Sequence, residues 1–486
     1  MDNRRKKKQS QDILRRFFTD GDEASSRIFF WGALILSILL LNLPSVMRWA
    51  HQQPSVMGTD TAKTLALVHG ANTSSFIVQD PFVHESRGMA PWLRLLCLSN
   101  LPDDALQIIP MALGILTFLV WWSILSRFFS KKSTFIITLL MLINPVYLSV
   151  FSELSSWPFI ALLVSLSVAA ALSRKDAWAG FLMSIIIIED PWCGIFTAAL
   201  LCLLLSFEKK QKDRKPRLLR LGALGIAVFM AAMLLNPLPP YALQTPFSAL
   251  SDLGVDYGMA SAIILLMLIG AAVAWRSRPD PSLLAAYAVL AFSFLWLPGR
   301  VVLMPLAGIL AMQGITFLGT RTWSYASMKQ FTLLLMVCTL FISMSTFYAV
   351  RASQLPTKEM AQALTSLQQL QRTSGPGNAA VLSRPGMGEF LEYYSASPVV
   401  VDTTMLSQGS HAWEDAQRAL LSRNPEETFS LFRKTGVTMF LIDPDLQTEL
   451  EEKGSGILFL INVTDLFEQV NSDPHYRLYA LKMPAK

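Results

Sequence analysis

The sequence is poor in charge. Only 16% of its 486 residues are Asp, Glu, Lys or Arg, whereas 52% are hydrophobic. Soluble domains carry roughly a quarter charged residues, so this composition excludes an ordinary soluble protein. The hydrophobic residues fall in blocks of about 16–22, the length at which a helix crosses a bilayer. We therefore expect a polytopic α-helical membrane protein.

Cysteine is also scarce. The four cysteines have no paired spacing and are Cys97, Cys193, Cys202 and Cys338. This excludes a disulfide framework and a cysteine metal cluster. The C-terminal part also lacks a glycine-rich phosphate loop and a Ser/His/Asp pattern at a recognisable spacing.

Lysine and arginine are absent from the predicted outer loops 151–156, 189–192 and 236–258. They concentrate instead in the first 27 residues and in the alternate loops, so the positive-inside rule places the N-terminus in the cytoplasm. Topology thus accounts for the net charge of +6, and no nucleic-acid partner is predicted. The apolar blocks predict about 11 transmembrane helices, at residues 28–46, 105–126, 133–150, 157–173, 177–190, 192–207, 218–235, 259–275, 283–297, 301–318 and 330–349.

The first apolar block is expected to remain in the mature protein. A cleaved signal peptide would have a short apolar core and end in small residues. Here the block at 28–46 is long and is followed by Met47-Arg48-Trp49. We therefore predict a retained anchor and a multi-pass protein of the plasma or inner membrane.

These patterns divide the chain into three parts. Residues 1–27 are a basic cytoplasmic segment, 28–350 a transmembrane domain with a long outer loop at 47–104, and 351–486 a part of ordinary polarity. Short apolar runs in the last part predict strands at 379–382, 398–401, 437–442, 457–461 and 476–481. Helices are predicted at 357–372, 387–395, 411–422, 425–434 and 463–471. Because 11 crossings end outside, we expect a C-terminal extracytoplasmic α/β domain.

The long outer loop opens with Gly58-Thr59-Asp60, and loops of its length are usually functional. A carboxylate this close to lipid is costly without a role or a partner. Thr59 or Asp60 could instead cap a helix at 61–69. The segment 89–99 is amphipathic and is expected to lie in the headgroup layer. The loop also holds Asp80, His84 and Arg87, whereas His69 and Glu85 are interpreted as solvated residues.

Further ionisable residues fall at the outer ends of the predicted spans. They are Glu153, Glu189, Asp190, Asp252, Asp256 and Arg300. Each has a simpler interpretation: Glu153 as a helix end, the 189–190 pair as a turn before proline, and Arg300 as a side chain reaching lipid headgroups. Their common side favours a shared site, because ionisable groups near a bilayer usually face a cavity.

Such a set suits chemistry on a phosphate. Carboxylates on facing helices can hold a divalent cation, so a Mg²⁺ or Mn²⁺ site is predicted at Asp60, Glu153, Glu189 and Asp190. Arginine offers a planar fork to phosphate oxygens, which makes Arg300 the predicted donor-phosphate ligand. Asp60 is the predicted catalytic carboxylate, which orients or deprotonates the acceptor nucleophile.

At these residues the sequence resembles the GT-C superfamily of polytopic glycosyltransferases. Gly58-Thr59-Asp60 is similar to the acid motif in that family's first outer loop, and residues 144–153 to its second acidic motif. Pro298-Gly299-Arg300 resembles the arginine that meets the donor phosphate. The resemblance implies a polyprenyl-phosphate-linked sugar donor and transfer on the non-cytoplasmic side.

In layout the chain is nearest to the catalytic subunits of oligosaccharyltransferases. Residues 191–196 resemble their Trp-Gly-Gly-Tyr segment, and 380–402 follow the order of the segment that carries Trp-Trp-Asp-Tyr-Gly. That motif itself is absent, with Arg-Pro-Gly-Met-Gly at 384–388 in its place, so selection of an Asn-x-Ser/Thr peptide is not implied. The resemblance implies acceptor-side roles for Trp192, Arg384 and Glu389.

The leading hypothesis is an inverting membrane glycosyltransferase. It would move a sugar or oligosaccharide from a polyprenyl-phosphate or pyrophosphate carrier to a protein or glycan acceptor, in contact with membrane lipids. A transporter or flippase would place its charges near mid-membrane, often in repeated halves, and no repeat is found. A polysaccharide polymerase or ligase is a third hypothesis, and a non-catalytic envelope-glycan assembly subunit is a fourth.

Overall fold

The structure is a computed structural model. It describes residues 23–68, 91–99, 101–206, 222–223, 225–227, 230, 258–277, 297–321, 323, 325–374, 380–395, 398–401, 412–471 and 473–482. The chain divides into two compact units, the first from Met1–Met47 and Gln107–Ala352 and the second from Arg48–Leu106 and Ser353–Lys486. The division assigns most of the predicted outer loop and the C-terminal residues to the same unit.

The helices within the described ranges follow in chain order. They are α1 (Glu23–Ala50), α2 (Thr59–Val68), α3 (Pro91–Ser99), α4 (Asp103–Phe128), α5 (Lys131–Leu142), α6 (Pro145–Ser152), α7 (Ser156–Leu172), α8 (Asp176–Glu189), α9 (Pro191–Ser206), α10 (Ser261–Ser277), α11 (Leu297–Thr320), α12 (Ala326–Ser353), α13 (Lys358–Ser374), α14 (Pro385–Ser395), α15 (Ala412–Leu421), α16 (Pro425–Thr435), α17 (Pro444–Glu452) and α18 (Gly456–Val463). The strands are β1 (Ala380–Leu382), β2 (Val437–Ile442), β3 (Phe467–Gln469) and β4 (Arg477–Leu481).

Long apolar helices dominate the first unit. Within the described residues, four helical stretches are long and apolar enough to cross a membrane: Arg27–Ala50, Asp103–Phe128, Leu297–Thr320 and Ser327–Gln369. Three shorter apolar helices lie at Ser156–Leu172, Pro191–Leu201 and Ser261–Arg276. The protein is therefore largely helical and apolar. Of the predicted span at 218–235 the structure describes only residues 222–223, 225–227 and 230, which are helical, and of the span at 283–297 only residue 297.

The predicted span at 133–150 is not one straight helix. It consists of α5 and α6, which meet at an angle of 63° and count as a fifth candidate span only when taken together. The bend has a local cause, because Pro145 cannot donate a backbone hydrogen bond. Asn144 caps α6 instead, its side chain accepting from the Val146 amide at 3.3 Å. The bend directs the following residues, up to Glu153, away from the axis of α5.

Helix α11 is central to the first unit. It packs against α5, α6, α7, α9 and, most extensively, α10. Glycines make the α10 contact close: a Cβ on Gly270 would meet the Leu310 carbonyl oxygen at 1.8 Å, and one on Gly314 the Leu266 carbonyl oxygen at 2.2 Å. Small residues of this kind let helix backbones approach in membrane proteins. The two glycines therefore set the spacing on which α11 depends.

A four-stranded sheet with the order β1-β2-β4-β3 forms the core of the C-terminal residues. β1 and β2 are parallel, and the other pairs are antiparallel. Strands β1, β2 and β4 confirm three of the strand predictions, and Val399 of the predicted strand 398–401 adds one bridge to Val381. Buried Phe440 and Ile442 of β2 lie in the core of this sheet. The predicted helices at 357–372, 387–395, 411–422 and 425–434 are confirmed as α13 to α16.

Two predictions in this part are wrong. The apolar run 457–461 is not a strand but lies in α18, where Ile457 and Leu460 are buried while Phe459 and Val463 are exposed. Short apolar runs do not distinguish a strand from a helix by periodicity. The predicted helix at 463–471 instead contains β3, whose Phe467 packs edge-on against Phe440. Helix α17 was not predicted, although Asp443 caps it in front of a proline.

Candidate functional site

Glu153 lies in the turn between α6 and α7 and is buried, with 5% of its surface exposed. Two features fix this turn. The Tyr147 hydroxyl of α6 donates to the Gly114 carbonyl of α4 at 2.6 Å, and the Ser155 amide donates to the Glu153 carbonyl at 3.0 Å. The Ser155 hydroxyl, buried as well, has no hydrogen-bond partner among the described residues. A buried hydroxyl in that state is one that a bound ligand could satisfy.

The carboxylate of Glu153 forms an ion pair with Arg351, near the end of α12. Arg351 is fully buried, and its guanidinium also lies over the Phe347 ring, 5.5 Å from the ring centre. Sequence reasoning did not select Arg351. The available signal was a lone arginine just beyond the last apolar block, at a depth where charges are rarely left uncompensated.

The two acids at the junction of α8 and α9 occupy different positions. Asp190 is buried, and its Oδ1 accepts a hydrogen bond from the Cys193 amide at 2.9 Å, in the first turn of α9. It therefore acts as a helix cap, the simpler of the two interpretations. Glu189 is the last residue of α8 and is half-buried. Trp192, in the first turn of α9, is half-buried too.

Arg300 lies in the first turn of α11 and is only 2% exposed. The interpretation that it reaches the lipid headgroups is not supported, because its neighbours Pro298, Gly299 and Val301 are buried as well. The amino end of a helix carries partial positive charge, to which the guanidinium adds a full one. The beginning of α11 therefore carries positive charge, and anions favour such a position.

The metal site predicted at Asp60, Glu153, Glu189 and Asp190 is not present as a group of ligands in the described residues. Among the residues that the structure describes, no three His, Cys, Asp or Glu side chains are grouped as metal ligands. The reason is visible in the first unit, where Glu153 is paired with an arginine and Asp190 caps a helix. Glu153 and Asp190 are therefore each engaged by a neighbouring group of the first unit.

In the second unit, Asp60 lies in the first turn of α2, which begins at Thr59 rather than at the predicted residue 61. Asp60 is half-buried, and the preceding Gly58 has a positive φ of 80°, a conformation that suits glycine. The Gly58 amide donates to the Leu355 carbonyl at 3.2 Å. The chain leading to Asp60 is thus tied to the segment that follows α12.

Arg48 reinforces this tie, although the sequence did not single it out. Its guanidinium is 1% exposed and donates to four backbone carbonyls. Two belong to the segment before Asp60, namely Pro54 at 3.0 Å and Val56 at 3.2 Å. The other two are Gln354 at 2.5 Å and Pro356 at 2.8 Å. One buried arginine therefore joins the two segments from which α2 and α13 begin.

Helix α14 packs against α2 and carries Glu389, which is fully buried. Tyr393 of the same helix donates to Asp103 at 2.7 Å. Burial, the larger cause, and this hydrogen bond raise the pKa of Tyr393. The residues predicted on the acceptor side thus include one, Glu389, on a helix that contacts the helix of Asp60.

Arg384 precedes α14 and is held by two carboxylates. Its Nε lies 2.9 Å from Asp443 and its Nη2 lies 2.7 Å from Asp445. Burial opposes the charged form, but the charges and hydrogen bonds of these aspartates outweigh it and raise the pKa of Arg384. The guanidinium therefore stabilises the junction between β1 and α17.

Several predicted residues lie outside the described part of the chain. They are His69, Asp80, His84, Glu85, Arg87, Asp252 and Asp256. Most of the basic segment 1–27 lies outside it as well.

Comparison with known proteins decides the fold. No family model matches the sequence, and no curated protein matches it. Among solved structures, the chain is similar to the Archaeoglobus fulgidus oligosaccharyltransferase AglB in complex with an inhibitory peptide and a dolichol-phosphate. The TM-score is 0.58 at 12% identity, covering 93% of this chain and 74% of that one. An AglB structure with Zn and sulfate is similar as well.

Two further transferases have a similar structure. One is ArnT from Cupriavidus metallidurans bound to undecaprenyl phosphate, with a TM-score of 0.52 at 13% identity over 95% of this chain and 98% of that one. The other is the mycobacterial arabinofuranosyltransferase AftD, with a TM-score of 0.55 at 14% identity over 94% of this chain and 40% of that one. The chain has the GT-C glycosyltransferase fold. At such low identity the likeness establishes the GT-C fold alone, and the reaction has to be argued from this chain's own residues.

Proposed function

We propose that this GT-C chain is a membrane glycosyltransferase that takes a sugar or oligosaccharide from a polyprenyl-phosphate or pyrophosphate carrier. The observation that carries the proposal is buried Arg300 in the first turn of α11. A charge at this depth in a membrane helix is expensive and is expected to serve a ligand or a cavity. Structures of AglB and ArnT, which have the same fold, contain polyprenyl phosphates, and this supports the proposed class of donor.

The roles proposed for the residues follow from the reaction. The acceptor nucleophile forms a bond to the anomeric carbon of the sugar while the bond from that carbon to the phosphate oxygen breaks. The leaving phosphate keeps the electron pair, and Arg300 together with the amino end of α11 stabilises its negative charge. Asp60 orients the acceptor group and takes its proton.

The acceptor is proposed to be a protein or a glycan on the non-cytoplasmic side. Trp192, Arg384 and Glu389 keep their proposed acceptor-side roles, Arg384 by holding the start of α14 rather than by direct contact, since two aspartates already engage it. Eleven spans, a cytoplasmic N-terminus and an extracytoplasmic α/β domain belong to the same proposal.

Transfer from a lipid-linked sugar donor by the purified protein in lipid tests the proposal. Arg300→Gln is expected to lower transfer at least about 100-fold, because one lost charge-stabilising donor costs that much in other enzymes. Asp60→Asn is expected to lower it by about 10²–10⁴-fold, the usual contribution of general base catalysis. Matched controls are Arg321→Gln and Glu359→Gln, which change exposed residues. Normal transfer by both site variants would remove the proposal and leave the non-catalytic subunit as the better interpretation.

A further inference from the structure

A positive charge from α12 lies beside the α6–α7 turn. Glu153 is one of the carboxylates predicted as metal ligands, yet its side chain is paired with Arg351. The exposed fractions of the two side chains are 6% for Glu153 and 0% for Arg351. Both charged groups are therefore shielded from water, and Arg351 compensates the negative charge of Glu153 within the protein.

The chemistry of the pair favours arginine over a divalent ion at this point. A divalent cation needs several oxygen ligands, and usually more than one carboxylate. The described residues hold no group of three candidate ligands, and Asp190, another of the predicted ligands, caps α9. Guanidinium, in contrast, can form an ion pair with one carboxylate and keeps its charge at every physiological pH.

The position of Arg351 is fixed by packing as well as by charge. Its guanidinium lies over the ring of Phe347, which precedes it by four residues and is 4% exposed. Residues four apart in a helix are neighbours on one face, so α12 itself sets this contact. The next tyrosine, Tyr348, donates to the Leu40 carbonyl of α1 at 2.9 Å and fixes the rotation of α12. Arg351 is therefore held in place by the fold and not by its partner alone.

We propose that Arg351 serves Glu153 as a resident cation, in the place of a divalent metal, so that the α6–α7 turn binds no metal ion. For the transfer reaction, this rests on the proposed function and means that no metal on Glu153 takes part. For the protein itself, it means that removing Arg351 leaves the Glu153 carboxylate buried without its counter-charge, so that it needs a proton or another positive charge.

Binding of Mn²⁺, followed by electron paramagnetic resonance of the free ion, decides the proposal without any activity measurement. The wild type is compared with the double variant Glu153→Gln/Arg351→Met, which removes both charges and leaves neither one buried alone. We expect identical Mn²⁺ binding by the two proteins. One equivalent more on the wild type than on the double variant would overturn the proposal.

The single variant Arg351→Met gives the complementary result. With Glu153 buried and uncompensated, its thermal midpoint is expected to lie below those of the wild type and the double variant. Added Mn²⁺ should raise none of the three midpoints, because one carboxylate does not hold a divalent cation. If Arg351→Met does not fold, the comparison of wild type and double variant still decides. The inference would be contradicted if Mn²⁺ raised the thermal midpoint of the wild type but not that of the double variant.

Transfer in the presence of a chelator separates this inference from the proposed function. We expect the wild type to transfer equally well before and after EDTA treatment. Mn²⁺ added back after the treatment is expected to have the same effect on the wild type as on the double variant, which lacks Glu153. Absence of transfer by the wild type in every buffer would contradict the proposed function alone. The Mn²⁺ binding result would stand unaffected.

Discussion

Three buried arginines among the described residues differ in their surroundings. Arg351 is paired with a carboxylate, Arg48 donates to four carbonyls, and Arg300 lies in the first turn of a helix. Arginine suits all three tasks because its five donors form a rigid planar fork. Lysine offers one compact charge and could not reproduce the geometry of Arg48.

Replacing Arg48 tests this point at a single residue. Arg48→Met is expected to lower the free energy of unfolding by about 3 kcal/mol or more, since each buried group left unsatisfied costs about 1–3 kcal/mol. Arg48→Lys should recover only part of the loss. The measurement is the unfolding midpoint in detergent, with Arg433→Met, an exposed arginine of the same unit, as control. Equal stability of Arg48→Lys and the wild type would show that charge alone matters here.

At the scale of elements, the contact between α10 and α11 determines where Arg300 is held. These helices approach so closely that Leu310 and Leu266 carbonyl oxygens occupy the space where side chains would begin on Gly270 and Gly314. The neighbours there are backbone atoms, which cannot rotate away as a side chain can. The spacing of the pair therefore tolerates no larger residue.

Alanine at either glycine is expected to separate α10 from α11. Overpacking usually costs about 1–3 kcal/mol, and collision with backbone places Gly270→Ala and Gly314→Ala at the upper end of that range. Because α11 carries Arg300, transfer should also fall. Gly319→Ala in the same helix is the matched control, since a Cβ there meets nothing within 4 Å. Its expected effect is neutral to stabilising, by up to about 1 kcal/mol from helix propensity. Thermal midpoints of the three variants make the comparison.

At the scale of the whole molecule, sidedness is the property on which the proposed reaction depends. The sequence alone argues for it, since basic residues occur in alternate loops and the outer loops 151–156, 189–192 and 236–258 have none. The structure adds long apolar helices to this argument but contains no membrane. The orientation of both ends therefore stays a prediction.

Reporter fusions measure this orientation directly. A phosphatase that is active only outside the cytoplasm is expected to be active when fused after residue 486 and inactive when fused within the basic loop at 208–217. A fluorescent protein that folds only in the cytoplasm should give the reverse pattern. Equal phosphatase activity at the two fusion positions would contradict the topology of 11 spans. Expression of each fusion, measured by immunoblot, provides the control.

The site could be predicted from the sequence only in part. Arg300 stood out because it is the one basic residue in an otherwise uncharged outer turn, and its burial agrees with a functional role. The metal ligands were predicted from acids at the ends of spans, and the sequence does not show that one of them, Glu153, is paired with Arg351. Arg351 lies 198 residues beyond Glu153, and no local pattern links them.

Composition and periodicity by themselves determined that the chain is helical and apolar, where most described helices begin and end, and which three strands build most of the sheet. These properties depend on neighbours along the chain, so a sequence contains them. Only the tertiary structure decided the strand β3 in place of a helix, the close approach of α10 and α11, and the partners of Arg48 and Glu153. Those depend on contacts between distant residues, whose free energies are set by burial and geometry that local sequence does not record.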